Sequence, residues 1–566
     1  MAKIILFIVL IFPILTFGQN TLFYEKDTIK FTQRTGGNLD SIDMSYSNQL
    51  STFSGGSLNV SNNIISAQFI FQNKGFQNFT SIPGYKSMVF SGSPHLGFSY
   101  SFGSKGTQFL HFDFQQVLSK NRLLNINCQR NSSKGFLRNS QYTDNSFDFQ
   151  IRKRSLIYSY LFQSSYLSKT SGLNGGILND ANIDQGLEFL LVRSQTANNS
   201  YKIANISLTN YFNTLKDSIN GIGLVTKHKY DIISKEFIDN ELNVKIREQY
   251  RLASIKTAGG VYFKTKNILF DALLQHRFWD YQNLSNHHQK NEINLTSSLQ
   301  VRNSKYQFQN EASFNLIGAG GEWFNNATVQ TKVNKIAFSG NVTIEQKWPE
   351  PTQRFYFSDN YNYKLNDYKL QSRIYTSGTI NYKLKEINFI QLNFSNAILH
   401  NNYLFIDSTW RNDTMNIINI NTISLNANFK FGKLNFQPKI AFNIPSKNFK
   451  YLSGTVLNTR VFIKKKMFKA KKMEAMYGVD VSWLSSYRLM KYNSSMDVFT
   501  FQNTSNSFTS MTNLSAFFGF SLGEFRFYTR FENIGYFWND KTNQVLEGFP
   551  IQKNFVRLGL TWDFFN

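Results

Sequence analysis

Apolar residues recur at every second position along most of this chain. Leu96, Phe98, Tyr100 and Phe102 set the pattern; Leu124, Ile126 and Cys128 repeat it, as do Phe147, Phe149 and Ile151. Later runs are Ile423, Leu425, Ala427, Phe429 and Phe431, then Met473, Ala475, Tyr477, Val479, Val481 and Trp483. Ser, Asn, Gln, Lys and Thr fill the positions between. A period of two is the mark of strands with two unlike faces. Helical spacing never lasts more than about two turns. The runs are roughly ten residues long, the length that crosses a bilayer at a tilt. No fixed-period repeat appears, which counts against a solenoid or propeller. The pattern therefore predicts an all-β chain, a transmembrane antiparallel up-and-down β-barrel.

The chain ends on the same pattern. Val556, Leu558, Leu560, Trp562 and Phe564 share one face; Arg557, Gly559, Thr561 and Asp563 share the other. A closing amphipathic strand ending in Trp562, Phe564 and Phe565 suits recognition by barrel-insertion machinery, although Asn566 follows it. Single-chain bacterial barrels keep short turns on the periplasmic side and longer loops outside. Counting back from the end puts residues 534–554, 488–507, 446–453, 401–420 and 347–372 outside. Leu522-Gly523-Glu524, Lys464 to Lys472, Gly432-Lys433 and Leu384-Lys385-Glu386 fall inside. The count gives about 16–22 strands, even in number, least secure between residues 303 and 345. The turns assigned to the inside are basic: Arg152, Lys153 and Arg154; Lys264 and Lys266; Lys430 and Lys433; Lys464, Lys465, Lys466, Lys469, Lys471 and Lys472. Such a ring suits anionic phospholipid or an acidic periplasmic partner.

Composition supports two solvents for one sheet. The 566 residues include 56 Phe and 28 Tyr but only 8 Pro, and charged residues make up 17%. Mean hydropathy is nevertheless −0.33. Lipid on one strand face and a wet lumen on the other reconcile these values. The first residues give the compartment. Lys3, an apolar run from Ile4 to Leu15, and Thr16-Phe17-Gly18 make a signal peptide cleaved between Gly18 and Gln19. The run is too short for the ~20 residues of a spanning helix, and no cysteine follows for a lipid anchor. Residues 1–18 are thus a signal peptide, 19–64 a periplasmic tail or small luminal hatch, and 65–566 the barrel of an outer-membrane protein. Residues 19–64 are too short for a globular plug. The net charge of +25 suits anionic lipid or solute in an exported chain better than nucleic acid.

Particular motifs carry a family resemblance. Ser93-Pro94-His95-Leu96 with Gln108, Leu173-Asn174-Gly175-Gly176-Ile177 with Asp180, and Phe355 to Tyr363 after Pro349 and Pro351 occur in that order. Gly478-Val479-Asp480 with Tyr487, Tyr492 and Asn493, and the closing Gly559 to Phe565, complete the set. From about residue 85 onward the chain resembles the putative porin family of Bacteroidetes, Gram-negative bacteria. The resemblance implies a large outer-membrane barrel with passive transport.

Signals for chemistry are sparse. Lone Cys128 cannot make a disulfide or a cysteine metal site. Gly175-Gly176 and Gly318-Ala319-Gly320-Gly321 precede no helical pattern and form no phosphate loop. His287-His288 falls in an expected outer loop without a metal-spaced partner. His111 and Asp113 share a strand face, but no serine joins them by local spacing. No enzyme, cofactor or metal is expected. The expected function is a porin-like channel for small solutes, with Arg302, Arg460 and Arg557 favouring anionic ones. The expected partners are outer-membrane lipid, lipopolysaccharide, barrel-assembly machinery and those solutes. Two alternatives stay open: a plugged structural barrel serving a secretion or surface assembly, and a carrier of hydrophobic compounds.

Overall fold

The computed structural model describes residues 94–566, apart from 120, 179–185, 215–220, 242–244, 385–387, 407, 412–416, 447–448, 450, 501–507, 539, 541–542 and 566. The signal peptide with its Gly18/Gln19 cleavage, the 19–64 segment, the 65–93 start assigned to the barrel, and Asp180 lie outside the described residues.

Twenty-two strands pair antiparallel in chain order. They are β1 (His95–Gly103), β2 (Thr107–Ser119), β3 (Arg122–Ser133), β4 (Tyr142–Lys153), β5 (Tyr158–Gly172), β6 (Asn198–Asn213), β7 (Gly221–Asp239) and β8 (Ile246–Lys264). Next come β9 (Ile268–Asn283), β10 (His287–Arg302), β11 (Tyr306–Ile317), β12 (Trp323–Val333), β13 (Ile336–Lys347), β14 (Gln371–Lys383), β15 (Phe389–His400) and β16 (Ile417–Phe431). The last are β17 (Leu434–Pro445), β18 (Thr455–Met467), β19 (Met473–Arg488), β20 (Phe508–Leu522), β21 (Phe525–Glu532) and β22 (Phe555–Phe565). β22 then pairs with β1, from His95 opposite Phe565 to Gly103 opposite Arg557. That last ladder turns a sheet into a ring and leaves no open edge for lipid to meet. Among the described residues no helix is long and apolar enough to cross a membrane. The count stands at the upper end of the expected range, and β11–β13 are regular where the sequence was least secure.

Alternation sorts the two faces. Phe102, Phe147, Ile222, Leu224, Val261, Leu274, Phe394, Tyr477 and Trp562 are large apolar residues left exposed on the outside of the ring. In hydrocarbon each such side chain gains about 1.5–3 kcal/mol over water. Their sequence neighbours face inward. Connections alternate in the same sense as strand direction. At the rim holding His95 and Phe565 they run two to seven residues. Three are two-residue turns that open on a left-handed residue: Asn334 (φ 53), Gly432 (φ 63) and Gly523 (φ 59), the backbone a tight hairpin requires. At the opposite rim they run from three to twenty-five residues, and 173–197, 348–370, 401–416, 489–507 and 533–554 are the long ones. Short turns belong on the periplasmic side of such barrels.

Some expected turns are strand. Arg152 and Lys153 end β4, Lys264 ends β8, and Lys464, Lys465 and Lys466 lie in β18; Arg154, Lys266, Lys471 and Lys472 are true turn residues. His287 and His288 begin β10 rather than occupying a loop. β7 to β10 run 16 to 19 residues, well past the ~10 a bilayer needs. The ladder therefore continues beyond the membrane, through polar residues that look like loop. Residues 417–420, assigned to an outer loop, likewise belong to β16.

Candidate functional site: a loop-built lid and a charged lumen wall

The long loops do not splay into solvent. Phe136 and Leu137 (loop 134–141), Leu173, Ile177, Leu187 and Leu190 (173–197) are buried in one apolar cluster. Leu404, Phe449, Tyr451, Leu489, Met490, Leu546 and Phe549 join it from loops 401–416, 446–454, 489–507 and 533–554. A second cluster sets Tyr356 and Tyr363 of loop 348–370 with Tyr403, Phe405, Trp410, Met496 and Val498 against Tyr250, Trp279 and Tyr281 of the wall. Backbone pairing ties the clusters together. Loop strands Leu404–Ile406 and Thr409–Arg411 share a four-stranded sheet with Lys491–Asn493 and Val498–Thr500. Ile177 N–H donates to Gly548 O at 2.7 Å, and Glu547 N–H to Met490 O at 3.0 Å. Gly176, at φ 91, lies so close to Gly548 that a Cβ would sit 2.8 Å from its carbonyl oxygen. Seven connections thus pack as one body across the mouth. The expected aromatic element Phe355 to Tyr363 is part of it.

One loop reaches across the ring. Loop 489–507 leaves β19, yet its tip docks on β6 and β7 of the opposite wall. The Tyr201 and Tyr492 hydroxyls both donate to the Asp497 carboxylate. Lys235 Nζ donates to Ser495 O. Asp497 and Lys235 are almost wholly buried. A buried carboxylate needs such partners, because leaving one unpaired costs several kcal/mol, on the order of 3–5. Burial holds the Asp497 carboxyl above its ordinary value, while Lys235, Lys169 and the two tyrosines pull it back only part of the way. Loop 348–370 docks beside this point: Asn360 N–H donates to Glu248 at 3.2 Å and Arg247 N–H to Asp359 at 2.7 Å. Asn493 Nδ2 donates to Tyr361 Oη at 2.8 Å, joining the two loops.

Below the lid the inner wall is polar in sectors. From β18 to β22, Arg460 meets Asp480 at 2.7 Å, Asp480 also pairs with Arg530, and Arg557 meets Glu532 at 2.9 Å. Asp563 pairs with Arg526 and, at 3.3 Å, with His95 across the closing ladder. On β7 to β10, Lys229 meets Asp231 at 2.9 Å and Arg277 meets Glu292 at 3.3 Å. Between them the wall carries amides and hydroxyls, such as Asn341 donating to Asn326 at 2.7 Å and Thr422 to Asn443 at 2.8 Å. Two of the arginines expected to favour anions, Arg460 and Arg557, are therefore paired charges. Arg460 and Arg557 each face a carboxylate on the next strand, which sequence spacing cannot reveal. His111 does share the luminal face with Asp113, and its Nε2 lies 2.8 Å from the Asn127 amide. Among the described residues no three of His, Cys, Asp and Glu gather to hold a metal.

With the ring and its lid in place, the sequence comparison is decisive. The model of the family described as Putative porin matches residues 192–566. The chain belongs to that family. The match begins within the loop before β6 and takes in the remaining strands and most of the lid. No curated protein sequence matches this porin-family chain. Solved structures do resemble it in fold. The FrpB iron transporter from Neisseria meningitidis (F5-1 variant) has TM-score 0.57 at 10% identity, covering 88% of this chain and 84% of that one. Copper transporter OprC has TM-score 0.60 at 7% identity, covering 83% and 80%. A mutant of the ferric enterobactin receptor PfeA from Pseudomonas aeruginosa has TM-score 0.58 at 9% identity, covering 84% and 81%.

Proposed function

We propose that this protein is a non-enzymatic outer-membrane channel for small polar solutes, whose outward mouth is kept shut by its own folded loops. The observation that carries this reading is the pairing of a closed 22-strand ring with a polar inner wall. Such a wall hydrates a solute path, and lining size and charge then set selectivity. Cation–carboxylate pairing along the wall favours selection by size over strong anion preference. Passage through the mouth requires the lid to undock, so openings are infrequent.

The test is single-channel conductance of the refolded mature protein in a planar bilayer, with the reversal potential under a salt gradient. A low baseline broken by discrete openings, with weak ion selectivity, is the expected record. A folded barrel that stays silent even after the tip of loop 489–507 is removed would overturn the channel in favour of a plugged, assembly-linked barrel. A second reading comes from the fold shared with the FrpB iron transporter and copper transporter OprC: a loop-lidded barrel of this size also suits uptake of a bulky liganded metal. Conductance that is blocked by one ferric or cupric chelate and not by the free ligand would favour it.

A further inference from the structure

The short-turn rim carries a feature that a solute channel does not require. Two neighbouring hairpin turns, β16–β17 and β18–β19, are joined through the β17–β18 ladder, where Leu434 lies opposite Ile463. Between them they present Lys430, Lys433, Lys464, Lys465, Lys466, Lys469, Lys471 and Lys472. Glu474 answers one of these, at 3.8 Å from Lys464. The other seven are exposed. Apolar groups stand among them: Phe431 is 64% exposed, Leu434 39% and Phe468 74%. Phe431 and Leu434 pair at the end of the β16–β17 ladder, in step with the lipid-facing Ile423 and Leu425. The turn that presents Phe468 is also unusual. Phe468 (φ 62) and Lys471 (φ 51) both adopt left-handed backbone, a conformation uncommon for a bulky side chain. An ordinary solvated turn does not need an outward phenylalanine.

We propose that these paired turns bind the anionic phospholipid headgroups of the membrane leaflet at the short-turn rim. Lys433, Lys469, Lys471 and Lys472 of the turns and the outward Lys465 meet the phosphates, while Phe431, Leu434 and Phe468 enter the acyl boundary; Lys430, Lys464 and Lys466 share the luminal face with Arg460 and add only to the local potential. Lys465 shares the outward face with Ile463 and sits at its rim, so its stem packs on lipid while the ammonium reaches the headgroup layer. Charge and apolar anchor side by side distinguish a lipid surface from an acidic protein, which gives an exposed phenylalanine no hydrocarbon to enter. Each lysine near an anionic surface multiplies the partition about fivefold. Such binding would fix the depth and tilt of this sector of the barrel.

The test uses the full chain reconstituted in nanodiscs of phosphatidylethanolamine with and without phosphatidylglycerol, followed by native mass spectrometry of retained lipid. The native chain should retain phosphatidylglycerol over phosphatidylethanolamine, and less of it at high salt. The variant K433S/K465S/K469S/K471S/K472S should lose at least about tenfold of that preference. The corresponding Lys→Arg variant keeps the charge and should retain it, which separates lost charge from lost fold. F468S alone should lower retention without removing the preference. Equal retention of both lipids by the native chain, or an unchanged preference in the Ser variant, would overturn the proposal. Loss in the Ser and Arg variants alike would assign the effect to turn structure and overturn it too. Retention of an acidic periplasmic protein with no lipid preference would give the surface to a protein partner instead.

Discussion

At the long-loop rim, side chains such as Leu187, Tyr356, Phe449 and Leu546 are completely buried. At the short-turn rim, Lys335, Lys433, Lys469 and Lys472 are exposed. The same sheet feeds both, so the contrast comes from chain length and partners rather than from strand chemistry. A two-residue turn has no side chains to spare for a core, and its φ > 0 position accepts little besides Gly or Asn. A loop of about twenty residues loses a large conformational entropy on ordering. It stays folded only if it buries apolar groups and pairs polar ones; the lid buries its leucines and aromatics and gives the buried Asp497 carboxylate the Tyr201 and Tyr492 hydroxyls. The lid is thus a second folded unit resting on the barrel, held by contacts that can be lost without opening the ring.

The largest separation of the two rims should come from Asp497→Ala. The change leaves the Tyr201 and Tyr492 hydroxyls without their shared acceptor and removes the carboxylate beside buried Lys235. Losing one partner from such a site costs on the order of 3–5 kcal/mol. Conductance should rise and a protease should cut within 489–507, while the ring keeps its folded mobility in unheated gel electrophoresis. Unchanged protection would show that the apolar clusters alone hold the lid. A smaller effect, on the order of 1–3 kcal/mol, is expected of Gly176→Ala. Its φ of 91 disfavours any Cβ, and that Cβ would press on Gly548 O. Cleavage should then appear in 533–554 rather than in 489–507, which hydrogen–deuterium exchange would localise. If both loops open together, the lid is a single cooperative body. On the other rim, Gly523→Ala meets no neighbour within 4 Å but keeps a φ of 59. It should cost about 1 kcal/mol in urea unfolding and leave conductance unchanged. A change in gating from this variant would erase the distinction between the rims.

The barrel was legible in the sequence because its rule is local. Period two, turn signals and a closing aromatic strand are visible within ten residues of each other, and they led to the ring and its short and long connections. The weak stretch, 303–345, has a physical cause. Asn310 and Asn325 lie on the lipid-facing side with Phe314 and Val329, and interrupt the apolar alternation. Their amides bond to each other at 2.6 Å, which makes them tolerable there and invisible to a pattern. The lid was not legible. Tyr201 and Asp497 are 296 positions apart, and Tyr361 and Asn493 are 132 apart; no spacing announces either pair. The inner-wall charges were half legible: Arg460 and Arg557 were read as basic positions, but Asp480 and Glu532 become their partners only through the β18–β19 and β21–β22 registers.

The smallest effect concerns pH. Most carboxylates at a docking point are held below their ordinary value by a cation, so acid loosens them. Asp497 is shifted the other way, since burial outweighs the pull of Lys235, Lys169, Tyr201 and Tyr492. The docked loop therefore binds a proton more readily than the undocked one, whose Asp497 returns toward the ordinary ~3.9. Stability of docking follows the difference in bound protons. It rises as pH falls from the docked value toward the ordinary one, and is lost as pH climbs back through the docked value. Acidification across that window should thus tighten the lid and lower the frequency of openings. Asp497→Asn, uncharged at every pH, should flatten the response while keeping an acceptor for one tyrosine. Openings that become more frequent in acid, and do so only when Asp497 is present, would mean that the Lys235 attraction dominates and that the lid is released, rather than sealed, by protons.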